Sequence, residues 1–267
     1  MFTIFLRTIR DRKTSILIYS GAAVGFLWMY TGIFPSFSES FEQIEKLIQT
    51  MPKGFMEAFG IDPASFTTFE GFISSEMFTF IWPIMLILLM VSFASGAIAG
   101  EIEKGTIELL LSQPISRLEL FIAKYLSGIA ALAAFVILSI GAVFPIASFY
   151  GIQVKSENFF RFGLLAFAFG FAVFSIAIFF SAILSEKGRA NFIPAAVLIL
   201  MYFGNILGGL RENLRDIRYG SFFYYFQPNK VLVHGEIIDY AWIVFLGTGI
   251  IFSILSVIWF SKRDIAV

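Results

Sequence analysis

The 267 residues carry 19 basic and 19 acidic side chains, so the formal net charge is zero and no broad basic surface points to nucleic acid. Hydrophobic residues make up 58% and charged residues 14%, against about 25% charged in soluble domains. With a mean hydropathy of +0.84 the default reading is a membrane protein, which apolar runs of about 20 residues make all-α. The absence of cysteine excludes disulfides, thiolate metal sites and a cysteine nucleophile, and leaves the redox compartment open.

The first thirteen residues, MFTIFLRTIRDRK, place Phe2, Phe5, Leu6 and Ile9 on one helical face and Arg7, Arg10 and Lys13 elsewhere. That pattern suits an N-terminal interfacial helix in the inner headgroup layer, or a basic flank that only fixes orientation. A first apolar span follows at about 14–35, too long for a signal-peptide core and therefore read as an anchor. Residues 36–51 carry capping-box spacing at Ser36 and Glu39 and a stripe of Phe37, Phe41, Ile44, Leu47, Ile48 and Met51 before Pro52, which predicts an amphipathic outer helix.

Five more spans follow at about 77–99, 125–150, 162–184, 192–210 and 240–260, and none of the six contains Asp, Glu, Lys, Arg or His. With the N-terminus inside, the inner segments hold 11 of the basic residues in 52 positions, as the positive-inside rule requires, and both termini are cytoplasmic. Trp28, Trp82 and Trp242 then belong at the outer interface and Trp259 at the inner one. Residues 210–239 are polar apart from the run FFYYF at 222–226, which predicts short helices dipping into the outer interface. The chain reads as one transmembrane domain, 1–267, with no second domain.

Charge-free spans argue against ion-coupled transport, which relies on ionisable groups inside the membrane. His234 is the only histidine and sits in the loop sequence HGE, not in the HExxH of a zinc protease. No Gly-Lys pair exists, so the chain has no P-loop and any ATP-driven work draws on a partner. The spans instead offer small residues at helix-packing spacing: Gly21 and Gly25, then Ser92, Gly96 and Gly100, then Gly204 and Gly208. These faces serve packing within the bundle or against a second copy. Tyr202 and Asn205 either line a pathway or bond to a neighbouring helix.

The strip GEIEKGTIELLLSQPISR, residues 100–117, is the most patterned inner segment. The spacing predicts that the second span continues as helix through Glu101. Glu101, Lys104 and Glu108 share a face, and Ile107, Leu110 and Leu111 lie on another. Gly105 breaks the helix, Thr106 caps a short one over 107–112, and Pro114 ends it. Ser116 and Glu119 start the next helix with a capping box. A short helix across the inner surface, with one apolar and one charged face, fits either a partner's groove or the membrane surface itself.

The run EIEKGTIELLLSQPISR, followed by Lys124, resembles the inner-loop signature of ABC transporter type-2 permeases. The basic amphipathic start, the outer stretch ending MPKGFMEAFGID, the six spans and the basic tail SKRD extend the likeness over most of the chain. The resemblance implies a permease that pairs with a second permease copy or paralogue and with two separate ATP-binding-cassette ATPases. These partners, not the chain, carry ATP and Mg; the chain has no catalytic residues, binds no cofactor or metal, and touches membrane lipid. Glu101, Glu103, Gly105, Thr106, Glu108, Leu111, Ser112, Pro114 and Arg117 match the motif, which makes the short helix a coupling helix seated in the ATPase. The glutamates would then pair with ATPase basic groups, with Lys104 on the same face, and Leu110 and Leu111 would fill an apolar cleft. The alternatives are a non-transporting membrane anchor or regulatory subunit and, more remotely, a secondary transporter.

Overall fold

The computed structural model describes residues 1–39, 50, 54–56, 68–112 and 114–263. All regular structure among them is helical. α1 (Phe2–Glu39) is one helix of 38 residues. No break separates its basic start from the first span, so the interfacial helix is not an element of its own. The Ser36 cap is not formed either, because the helix runs through Pro35 and on to Glu39. Phe37 stays close to the bundle, its ring 4.7 Å from Phe72. The rest of the expected outer stripe, from Phe41 to Met51, and its stop at Pro52, lie outside the described residues.

The second span is bent. α2 (Phe69–Ile73) is capped by Thr68, whose hydroxyl accepts from Gly71 N–H at 3.2 Å. A π-helix over Ser74–Phe78 follows, and then α3 (Ile81–Ala97), inclined by 43°. The cause is local: Thr79 N–H reaches back five residues to the Ser74 carbonyl at 2.8 Å, and the extra residue turns the chain. Pro83 sits in the first turn of α3, where a missing N–H costs nothing.

α3 does not continue through Glu101 as its sequence suggests. Ile98 leaves helical geometry, at φ −123° and ψ −68°, and α4 (Ala99–Glu103) restarts beyond it. The break is tolerated because Ser181 of a neighbouring span accepts from the freed Ala99 N–H at 3.0 Å. α5 (Thr106–Leu111), α6 (Arg117–Gly141) and α7 (Val143–Phe149) follow. α8 (Ser156–Ile183), α9 (Lys187–Leu210), a 3₁₀ helix over Glu212–Gly220, α10 (Phe222–Tyr225), a π-helix over Lys230–His234 and α11 (Ala241–Lys262) complete the chain. Among the described residues five helices are long and apolar enough to span a membrane, or six where the bent pair counts as one span.

α8 is the hub, packed against α3, α6, α9 and α11, while α1 lies along α6. Apolar burial gives no driving force between helices in lipid, so close approach and interlocking shape carry the packing. Side-chain knobs seat on glycines. A Cβ on Gly128 of α6 would lie 2.1 Å from the Phe174 ring of α8, and one on Gly249 of α11 would lie 2.2 Å from Phe171. Polar side chains inside the bundle satisfy each other: Tyr125 and Ser253 hydroxyls lie 2.5 Å apart, with Ser175 3.1 Å from Ser253.

One aromatic expectation changes. Trp82 is fully buried and does not face headgroups; its indole N–H donates to Ser139 Oγ at 2.9 Å and its ring stacks on Phe226 at 6.1 Å. Short helices form over Glu212–Gly220, Phe222–Tyr225 and Lys230–His234, and within the FFYYF run Phe222 and Phe226 are buried against Phe169 while Phe223, Tyr224 and Tyr225 stay half-buried. The indole N–H and the hub's ring cluster offer Trp82, Phe222 and Phe226 a better site than the interface does. Trp28, Trp242 and Trp259 lie on the outside of the bundle.

Candidate functional site

Long-range contacts gather one end of the bundle around the strip 100–117. Lys124 Nζ, on α6, lies 2.6 Å from Glu101 Oε2, on α4; the lysine side chain is 1% exposed and the carboxylate 27%. Glu103 Oε2 accepts from the Lys187 N–H at 2.6 Å, capping the N-terminus of α9 from outside the helix. The Arg12 guanidinium lies on Gly96, where a Cβ would clash with it outright. Arg117 donates to the Arg263 carbonyl. Arg263 in turn donates to the carbonyls of Ala182 at 2.7 Å and Leu184 at 3.1 Å, which α8 leaves open at its end. Arg12 near the N-terminus and Arg263 near the C-terminus therefore share one end, as an even number of spans requires.

Between these ties α5 stands as a short helix across that end. Gly105 precedes it at φ +68°, a left-handed conformation that side chains resist. Thr106 is the first residue of the helix and not its cap; its hydroxyl donates to the Glu101 carbonyl at 3.3 Å. After α5, Ser112 and Pro114 are exposed and the chain turns into α6. The capping box forms as its spacing predicts: Ser116 Oγ accepts from Glu119 N–H at 3.1 Å, and Glu119 Oε2 from Ser116 N–H at 2.9 Å.

The faces of α5 differ from the sequence expectation. Ile107 and Leu110 turn inward, 1% and 7% exposed, and pack on the bundle. Leu109, which the spacing did not single out, is 70% exposed beside exposed Glu108. The side-chain setting of Leu111 lies outside the described residues. Glu101, Glu103 and Arg117 hold the strip to its own chain, and Lys104 is exposed at the turn. The outward features of α5 are therefore Glu108 and Leu109. Periodicity missed Leu109 because the helix has fewer than two turns and the break at Gly105 resets its phase.

The remaining candidates lie elsewhere. Gly96 receives Arg12, and Gly100 touches the stem of Lys187, so this small-residue face is filled from within. Gly204 and Gly208 meet Ile217 and Arg218 of the 3₁₀ segment. Ser92 lies on α3 with Gly96, and Gly21 and Gly25 of α1 have nothing within 4 Å of an added Cβ. Asn205 accepts from Arg218 Nε at 3.2 Å, and the Tyr202 ring packs 5.0 Å from Phe223. Both thus face the 212–226 segment. Arg218, 7% exposed, lies 5.3 Å over the Tyr224 ring, and burial raises the Tyr224 phenol above its ordinary value. His234 is exposed, and no cluster of metal-ligating side chains occurs among the described residues.

An all-helical bundle with up to six apolar spans among the described residues, and a short surface helix between two of them, defines a multi-pass membrane protein. Residues 5–234 match the family described as ABC-2 family transporter protein, and the chain belongs to that family. The match takes in the strip and every element up to the π-helix that precedes α11. No curated protein matches the chain.

Proposed function

We propose that this chain is the permease subunit of an ATP-binding-cassette exporter, driven by a separate ATPase that docks on α5. The observation that carries this reading is the exposure of Glu108 and Leu109 on a short helix that Glu101 and Lys124 brace against the mouth of the next span. A helix so held passes a push to α4 and α6 instead of absorbing it. Family membership supports an ATPase partner. The end holding Arg12, Lys124 and Arg263 is then cytoplasmic, in the cell membrane, with ATP and Mg bound by the ATPase. A second copy or a paralogue completes the membrane half. The charge-free spans favour a lipid-like or amphipathic cargo over a small ion.

The test is copurification. A P-loop ATPase should be retained by the wild-type chain and lost from Glu108→Lys/Leu109→Asp, with thermal unfolding unchanged because both side chains are exposed. Retention of the ATPase by that variant, with undiminished substrate-stimulated hydrolysis in vesicles, would remove α5 as the docking element.

A further inference from the structure

At the end that gathers the strip, a pocket of about 460 Å³ opens between the start of α1, the end of α3 and the α4–α5 turn. Arg7, Arg12, Lys104 and Lys187 line it, together with Asp11 and Glu101. Both carboxylates are engaged: Asp11 lies 3.8 Å from Arg7, and Glu101 lies 2.6 Å from the buried Lys124. Arg12, Lys104 and Lys187 form no ion pair with a described residue. Four cationic side chains, Arg7, Arg12, Lys104 and Lys187, thus face one cavity against two carboxylates, each of which already has another basic partner. Arg12 is partly buried there, its guanidinium pressed on Gly96, where only the missing side chain gives it room.

We propose that this pocket binds the phosphate of an anionic phospholipid headgroup. A guanidinium and two ammonium groups supply the several donors that a phosphate oxygen cluster takes, and phosphate supplies the charge the pocket lacks. The position selects lipid as the source. Arg12 lies just before the charge-free run 14–35 and Lys187 just before 192–210, so the pocket is level with the edge of the apolar spans. Leu109 and Leu110 complete its wall and give it an apolar side, which a glycerol backbone matches and a hydrated free anion does not. Leu109 also belongs to the outward face of α5, so the headgroup occupies a space next to the proposed docking surface. The inference rests on this end meeting a membrane leaflet and not on ATPase docking; its test contains no ATPase and fails or succeeds separately.

The full chain is titrated in neutral phosphatidylcholine micelles with phosphatidylglycerol, and bound lipid is read by native mass spectrometry. Arg12→Gln/Lys187→Gln is expected to weaken phosphatidylglycerol binding about tenfold or more, as two lost headgroup contacts imply. Arg189→Gln, which removes an exposed charge paired with Glu186, should leave it unchanged. Lys104→Gln, at an exposed side chain, should weaken binding by a few fold and covers the case in which the double variant does not fold. Wild-type affinity in both Lys104→Gln and the double variant overturns the proposal, as does equal binding of phosphatidylcholine. Inorganic phosphate that displaces the lipid at the lipid's own affinity overturns the lipid assignment in favour of a soluble anion.

Discussion

Lys124 and Glu101 meet at 2.6 Å across the turn between the second and third spans, and the lysine is all but sealed from solvent. Neither residue lies in a charge-free run, yet both are held at the bundle surface by helices that those runs anchor. Lys124→Met removes the closest partner of Glu101 and leaves it only the cations that line the adjoining pocket. Removing one member of a buried pair costs about 3–5 kcal/mol, and the partial exposure of Glu101 places the expected loss near the lower end. Glu101→Leu added to Lys124→Met should recover most of it. Thermal unfolding of the three variants in one detergent checks the cycle; equal loss in the single and double variants would show that the pair is not the source.

Gly128 tests the interlocking of α6 and α8. A methyl group there meets the Phe174 ring, which is fully buried and cannot swing aside freely. Gly128→Ala should destabilise by about 1–3 kcal/mol, the usual cost of overpacking. Phe174→Leu in the same chain should restore part of the loss. Gly141→Ala is the control, since nothing lies within 4 Å of its added Cβ.

Gly105 sets the direction in which α5 leaves α4. Its φ of +68° costs a side chain about 1–2 kcal/mol. Gly105→Val should lower stability by that amount or re-aim α5. Spin labels at positions 108 and 189 would read the second outcome as a changed or broadened distance. An unchanged distance with unchanged unfolding would mean that the turn accepts any residue.

Arg263 closes the end of α8. Arg263→Gln loses its donors to Ala182, Leu184 and Ser185. Hydrogen exchange over residues 180–187 should quicken, while α3 stays protected. Protection that is unchanged across that stretch would assign the capping role elsewhere.

The spans were legible because runs of about 20 apolar residues have few other homes. The capping box at Ser116 was legible because its partners lie three residues apart in sequence. Breaks were harder. The one at Ile98 depends on Ser181, some eighty residues away, and the bend before α3 on a π-turn that no residue type announces. In the strip, several side-chain directions differ from those the spacing suggests. Glu101 and Glu103 find partners within the chain, Leu110 faces in and Leu109 out, because long-range contacts set the rotation of a six-residue helix.

α1 is 38 residues long, about 57 Å at 1.5 Å per residue, nearly twice the hydrocarbon thickness of a bilayer. A continuous helix of that length must lean, bend as at Pro35, or project from the membrane. Near one end Arg12 rests on Gly96 of the second span, and near the other the ring of Phe37 meets Phe72 of the same span. The helix and the bent span are thus pinned together twice, like a strut across a jointed arm. Straightening of the second span at its bend would change the distance between the two pins, which a continuous helix cannot follow. One of the pins must slip first, so the grip of α1 sets a threshold for any motion of that joint.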